Sequence, residues 1–174
     1  MGYLLAVETS CDDTSIAVLD RDGIVRSSVV SSQLAAHAPF GGVVPEIASR
    51  EHLRNIIPVL DAALKDAGID MREVKATAST MGPGLLGSLL VGFSFAKTTA
   101  HALKVPFYGV NHIEAHLLSP WIENRSLPFP ALVLVVARSG WAAEDGSVPA
   151  GSPDAAAGRE VFPPPVVPAS PLPA

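Results

Sequence analysis

Three short apolar runs occupy the first thirty residues, at Tyr3–Val7, Ser15–Leu19 and Ile24–Val30, separated by short polar connections. Between the second and third, Asp20-Arg21-Asp22-Gly23 has the composition of a tight turn. Three strands joined this way form an antiparallel meander, so the chain commits to a sheet before any helix appears. Gln33 to Gly42 is small, polar or helix-breaking and reads as a loop. After Pro45, Leu53, Ile56, Ile57, Leu60, Leu64 and Ala67 recur at helical spacing. Pro45 and Glu46 suit the first turn of that helix and Gly68 its stop. Pro58 inside the pattern predicts a kink or two helices in series.

Val74–Thr80 reads as a strand broken by Met81-Gly82-Pro83-Gly84, and Leu85–Leu103 as a buried helix packed closely on a sheet. A short strand at Val105–Val110, a helix at His112–Glu123 and a strand at Phe129–Val136 follow. The order βββαβαβ is mixed α/β. It suits the ribonuclease-H-like lobe of the actin-like ATPase (ASKHA) superfamily, a mixed sheet with flanking helices, by analogy of element order. Residues 138–174 hold eight of the sixteen prolines, with eight alanines and four glycines, and show no period. The expected organisation is therefore a lobe over residues 1–136 and a proline/alanine-rich, disordered tail over 137–174.

With 174 residues, 48% of them hydrophobic and 17% charged, the chain can build one core. A net charge of −5 argues against a histone-like or basic-arm nucleic-acid binder. The one cysteine, Cys11, rules out a disulfide scaffold and a cysteine-rich zinc site. No basic leader and no apolar stretch of about 18 residues is present. The expectation is a soluble cytoplasmic protein without membrane contact.

Four segments could carry chemistry. Glu8 to Thr14 crowds acids, hydroxyls and backbone amides into one connection between strands. Such a turn either presents donors to a phosphate, with an acid to position a nucleophile or metal, or is a plain polar turn. Cys11 reads as a small buried residue, since nothing near it in sequence would activate a thiol. Gly82-Pro83-Gly84-Leu85-Leu86-Gly87 is a strand-to-helix junction that admits an anion or a close approach of two backbones. It is neither GxGxxG nor a Walker loop. Asn111-His112-Ile113-Glu114-Ala115-His116 places two histidines at i and i+4, so both imidazoles can reach one divalent metal. A zincin has its glutamate directly after the first histidine; Glu114 is two residues on, rotated by roughly 200°, which disfavours a metalloprotease. His37, His52 and His101 lack such a partner and read as surface or capping residues. The charges from Glu46 to His52 read as a solvated helix face.

Together these segments resemble a known family. Val7-Glu8-Thr9-Ser10-Cys11-Asp12-Asp13-Thr14, Gly41-Gly42-Val43-Val44-Pro45-Glu46-Ile47-Ala48-Ser49-Arg50, the run Gly82 to Gly92 and Asn111 to Leu117 occur in the order and spacing of the bacterial TsaD (Gcp) proteins. These are catalytic subunits of tRNA threonylcarbamoyladenosine synthase, once named O-sialoglycoprotein endopeptidases. The resemblance implies an actin-like fold of two lobes. It implies transfer of a threonylcarbamoyl group from threonylcarbamoyl-AMP to N6 of adenosine 37 in tRNAs reading codons that begin with A. His112 and His116 match the family's metal ligands, for iron or zinc, and Asp12 and Asp13 its acidic pair. The family often has glutamate where this chain has Asp13. Thr9, Ser10, Gly82 and Gly84 are carried over as substrate-binding residues, and TsaB-like and TsaE-like subunits as partners.

The match fails after Val136, where the family expects Ser-Gly-Gly-His-Thr and this chain reads Ala137-Arg138-Ser139-Gly140-Trp141. The second lobe, with the family's third metal ligand, an aspartate, is missing. The expectation is a truncated or frameshifted product, inactive alone. The alternative is a non-catalytic scaffold or pseudo-enzyme lobe that binds a TsaB-like partner.

Overall fold

The computed structural model describes residues 2–128 together with 132 and 133. Strands β1 (Tyr3–Glu8), β2 (Asp13–Leu19) and β3 (Val25–Ser32) form the expected meander. Asp20 closes its second turn: one carboxylate oxygen accepts from the amides of Asp22 and Ile24, both at 2.9 Å, and the other meets Arg26. Two further strands, β4 (Val74–Gly82) and β5 (Phe107–Asn111), add in parallel on the open side of β1. The sheet order is β3-β2-β1-β4-β5. The sheet is thus mixed and flanked by helices, as its element order implied.

Strand alternation sends Leu5 and Val7 of β1 to the same face as Ile16 and Val18 of β2, and all four are buried. Helix α2 (Pro45–Ala67) covers β2 and β3 on that face with Ile56, Val59, Leu60 and Ala63. Helix α3 (Leu86–Leu103) covers β4 with the small residues Ser88, Gly92, Ala96 and Ala100. Small side chains let its axis lie close to the strands. Two core hydroxyls donate to helix carbonyls: Ser27 to Ala63 O at 2.8 Å and Thr77 to Ala96 O at 3.0 Å.

Several elements differ from the sequence reading. The Gln33–Gly42 segment contains a short helix, α1 (Leu34–His37), and a 3-10 turn at Ala38–Phe40. It winds inward because Gln33 and His37 are buried. His52 of α2 is also buried, so neither His37 nor His52 is a surface residue; Thr14 and Cys11, two of the partners that admit His52, lie far away in sequence, whereas Gln33 and Val44 meet His37 from close by in the chain. Helix α2 runs unbroken through Pro58, which stands on the exposed side where the carbonyl it leaves unbonded, that of Arg54, faces water. Gly68 ends it in the left-handed conformation, with φ of 67°.

Helix α3 is buried on one face only, and Leu86 and Leu90 face solvent. The expected helix over His112–Glu123 is two, α4 (His112–Leu118) and α5 (Pro120–Glu123), because Pro120 has no N–H with which to continue the ladder. The expected strand at Phe129–Val136 and the tail 137–174 lie outside the described residues, apart from 132 and 133.

The tightest contact of α3 is with the end of β1. A Cβ at Gly92 would overlap the side chain of Thr9, whose hydroxyl accepts from Gly92 N at 3.1 Å and donates to Ser88 O at 2.8 Å. Gly92→Ala is expected to destabilise the fold by about 1–3 kcal/mol, the usual cost of overpacking. Urea unfolding of the two proteins measures it.

Candidate functional site

The site forms where the C-terminal ends of β1, β4 and β5 meet α4. Glu8 is the last residue of β1, and alternation turns it to the face opposite Leu5 and Val7. Its carboxylate accepts from Ser10 N and from Thr80 Oγ1, the latter across the β1–β4 pair. Burial raises its pKa. The hydrogen bonds from Ser10 and Thr80 and the field of His112 outweigh that and hold it below the ordinary glutamate value. Glu8 is therefore a fixed anion.

His112 opens α4 directly after β5. The Asn111 side chain caps this helix, accepting from Ile113 N at 2.9 Å and Glu114 N at 3.2 Å. His112 turns Nδ1 toward Ser10 Oγ at 3.0 Å and the Glu8 carboxylate at 3.5 Å. Both are acceptors for an Nδ1–H, which leaves Nε2 with its lone pair facing the other way. There it meets Nε2 of His116 at 3.1 Å, with the rings edge to face. Two imidazole nitrogens at that distance are satisfied by a proton shared between them or by one cation bound to both. The spacing suits two nitrogens on neighbouring vertices of a metal with bonds of about 2.0–2.1 Å. The pair lines a cavity of about 300 Å³ with Ala6, Glu8, Thr80 and Val110. Among the described residues no third histidine, cysteine, aspartate or glutamate completes a ligand set.

The same geometry disposes of two hydrolase readings. In a serine hydrolase the nucleophile and the orienting acid address opposite nitrogens of one histidine. Ser10 and Glu8 both address Nδ1 of His112, so no triad exists here. Glu114 is not among the residues lining the cavity and cannot serve as the base of a zincin.

The remaining sequence candidates divide. Asp12 and Asp13 stand on the same turn as Ser10 but do not line this cavity. Thr9 is buried and bonded on both sides to α3. At Gly84 a Cβ would stand 2.6 Å from Ser10 O, and the next amide, Leu85 N, donates to that oxygen at 2.8 Å. Gly82 precedes a cis peptide bond to Pro83. At Gly84 the junction is thus a close approach of two backbones, whereas a Cβ at Gly82 would meet open space. Glu8 and Thr80 escaped assignment, since their meeting depends on β1–β4 register; the strand alternation that isolates Glu8 from Leu5 and Val7 was the available signal. The pair Glu46–Arg50 lies on an exposed helix face, as expected, whereas His52 at the end of the same stretch is buried.

A family model described as TsaD, tRNA N6-adenosine threonylcarbamoyltransferase, matches residues 24–142. The chain belongs to the TsaD family. Proteins named tRNA N6-adenosine threonylcarbamoyltransferase are 59% identical over 134 residues in Trichlorobacter lovleyi and 55% over 133 in Pelobacter propionicus. Each alignment covers 76% of this chain and 39% of the relative. The chain therefore spans about two-fifths of the length of the curated relatives it matches. A solved structure described as an uncharacterized protein with similarity to peptidase YEAZ from Pseudomonas aeruginosa shares the fold. Its TM-score is 0.55 at 25% identity, over 72% of this chain and 50% of that one. YeaZ from Pseudomonas aeruginosa gives 0.54 at 24%, over the same shares. No helix of the described residues is long and apolar enough to cross a membrane.

Cys11 is exposed rather than buried, in surroundings that disfavour its thiolate. Desolvation, a hydrogen bond with Asp12 and the charges of Asp12, Asp13 and Glu8 push its thiol pKa up to about 12. Iodoacetamide at pH 8 is expected to alkylate it about 100-fold more slowly than free cysteine. Reaction at the free-cysteine rate, read by mass spectrometry, contradicts this environment.

Proposed function

We propose that the protein to which this lobe belongs transfers a threonylcarbamoyl group from threonylcarbamoyl-AMP to N6 of adenosine 37 in tRNA, with residues 1–136 as its first lobe. The observation that carries the reading is the His112–His116 pair, held nitrogen to nitrogen by Glu8 and Ser10 in a chain of the TsaD family.

In this reaction the adenine amine attacks the carbamoyl carbonyl, the bond from that carbon to the phosphate oxygen breaks, and AMP leaves. His112 and His116 are assigned as ligands of one divalent ion, iron or zinc, completed by a ligand outside the described residues. Such an ion, when bound, supplies Lewis-acid polarisation of the carbonyl. Glu8 and Ser10 hold His112 Nδ1 so that Nε2 stays available. Asp12 or Asp13 accepts the proton that the attacking amine loses. Ser10 and the Gly82–Gly84 junction border the substrate on the β1 side, and Thr9 supports them from beneath.

TsaB-like and TsaE-like subunits are the assigned partners. The likeness of this lobe to YeaZ, together with the solvent-facing pairs Leu53 and Ile57 on α2 and Leu86 and Leu90 on α3, supports the first. The assigned compartment is the cytoplasm, where the tRNA substrate resides. A metal-free scaffold role has less support, because it leaves the facing imidazoles without a purpose.

The test is transfer activity of a full-length protein carrying this lobe, with tRNA, threonylcarbamoyl-AMP and its partner subunits. His112→Ala and His116→Ala are each expected to lower the rate at least about 100-fold and to abolish bound metal. Undiminished transfer and metal content in both variants would overturn the assignment.

A further inference from the structure

Cys11, Asp12 and the residue before them are held at three successive carbonyls by three different parts of the chain. Ser10 O accepts from Leu85 N at 2.8 Å, and Asp12 O from Gln33 N at 3.1 Å. Between them, Cys11 O lies 3.1 Å from Nε2 of His52, the one side-chain donor of the three. His52 is fully buried and takes no part in the mechanism above.

Its protonation follows from its neighbours. A carbonyl only accepts, so Nε2 of His52 carries the hydrogen. Nδ1 is then an acceptor, and Thr14 Oγ1 at 2.8 Å and Gln33 Nε2 at 3.2 Å both have hydrogens to give it. Gln33, with its amide turned that way, presents Oε1 to His37 Nε2 at 3.1 Å. At the far end His37 Nδ1 faces Val44 N, a pure donor, at 3.3 Å. A backbone acceptor at Cys11 and a backbone donor at Val44 thus fix every hydrogen between them in one direction. Each imidazole carries its hydrogen on Nε2. Burial also pushes the His52 pKa below its ordinary value, which agrees with a neutral ring.

We propose that His52 is a positioning residue for the acidic turn, fixing the stretch that presents Asp12 and Asp13 through its bond to Cys11 O, with Gln33 and His37 setting its tautomer. The importance of that turn for transfer rests on the function proposed above; the positioning itself does not. A merely space-filling histidine would accept any orientation of the ring and any isosteric replacement. This one has a required proton on a required nitrogen.

The experiment uses the 174-residue chain, labelled with ¹⁵N. Imidazole spectra between pH 6 and 8 are expected to show His52 as a neutral Nε2–H tautomer that does not titrate, and His37 with its hydrogen on Nε2. An Nδ1–H tautomer or a titrating His52 overturns the proposal, and this measurement needs no variant. In His52→Phe, which keeps a ring but loses the donor, the amides of Asp12 and Asp13 are expected to exchange with solvent at least about 10-fold faster. In His52→Gln, whose amide N–H can reach Cys11 O, exchange is expected to return to within about 3-fold of the original. Equal exchange in the two variants contradicts positioning. Should these results hold while a full-length protein transfers no threonylcarbamoyl group, the function assigned to Asp12 and Asp13 falls and the positioning by His52 stands.

Discussion

Gly84 and Gly92 bring α3 so close to the end of β1 that a methyl group at either position would overlap Ser10 or Thr9. That approach seats the helix on the sheet, and it also sets the start of the β1–β2 turn, because Ser10 O is bonded to the residue that caps α3. With Ser10 fixed, its amide and hydroxyl are fixed, and they address Glu8 and His112 respectively. Van der Waals contact between two backbones therefore determines the direction in which an imidazole points. Gly84, which sequence reasoning could assign to an anion or to packing, packs against Ser10, and the site gains its precision from that.

Charge at the site is arranged around His112. Glu8 stays ionised despite burial because Ser10 and Thr80 donate to it, and an anion beside Nδ1 keeps the hydrogen on that nitrogen. Nε2 is left to face His116. A carboxylate that orients a histidine through its other ring nitrogen is the arrangement by which proteins prepare an imidazole for a metal. The chain belongs to a family whose curated members are named for threonylcarbamoyl transfer to tRNA, and the older peptidase description finds neither a serine triad nor a placed glutamate base here.

Much of the fold was legible in the sequence because it is local. Tyr3 to Val7 form a short apolar run, Asp20 and Gly23 mark a turn, and Gly68 marks the end of α2. What escaped was set by contacts across the chain. His37 and His52 look like surface histidines until Gln33, Thr14 and the Cys11 carbonyl are brought to them by the β2–β3 pairing and α2. Pro58 breaks a helix on paper, but its exposed position lets α2 continue. The one-turn spacing of His112 and His116 was readable, whereas the partners of His112 were not. Glu8 sits more than one hundred residues away, and its role depends on Thr80 in a third strand. Thr9 matched a family motif, yet its hydroxyl is spent inside the core.

The most direct test of this account is a zinc titration of the chain followed by ¹⁵N spectra of its five histidines. The account predicts that Nε2 of His112 and Nε2 of His116 respond together to the same equivalent of Zn²⁺, while Nδ1 of His112 keeps its hydrogen and His37 and His52 do not move. Binding that shifts only one of the pair, or that enters through Nδ1 of His112, would contradict it.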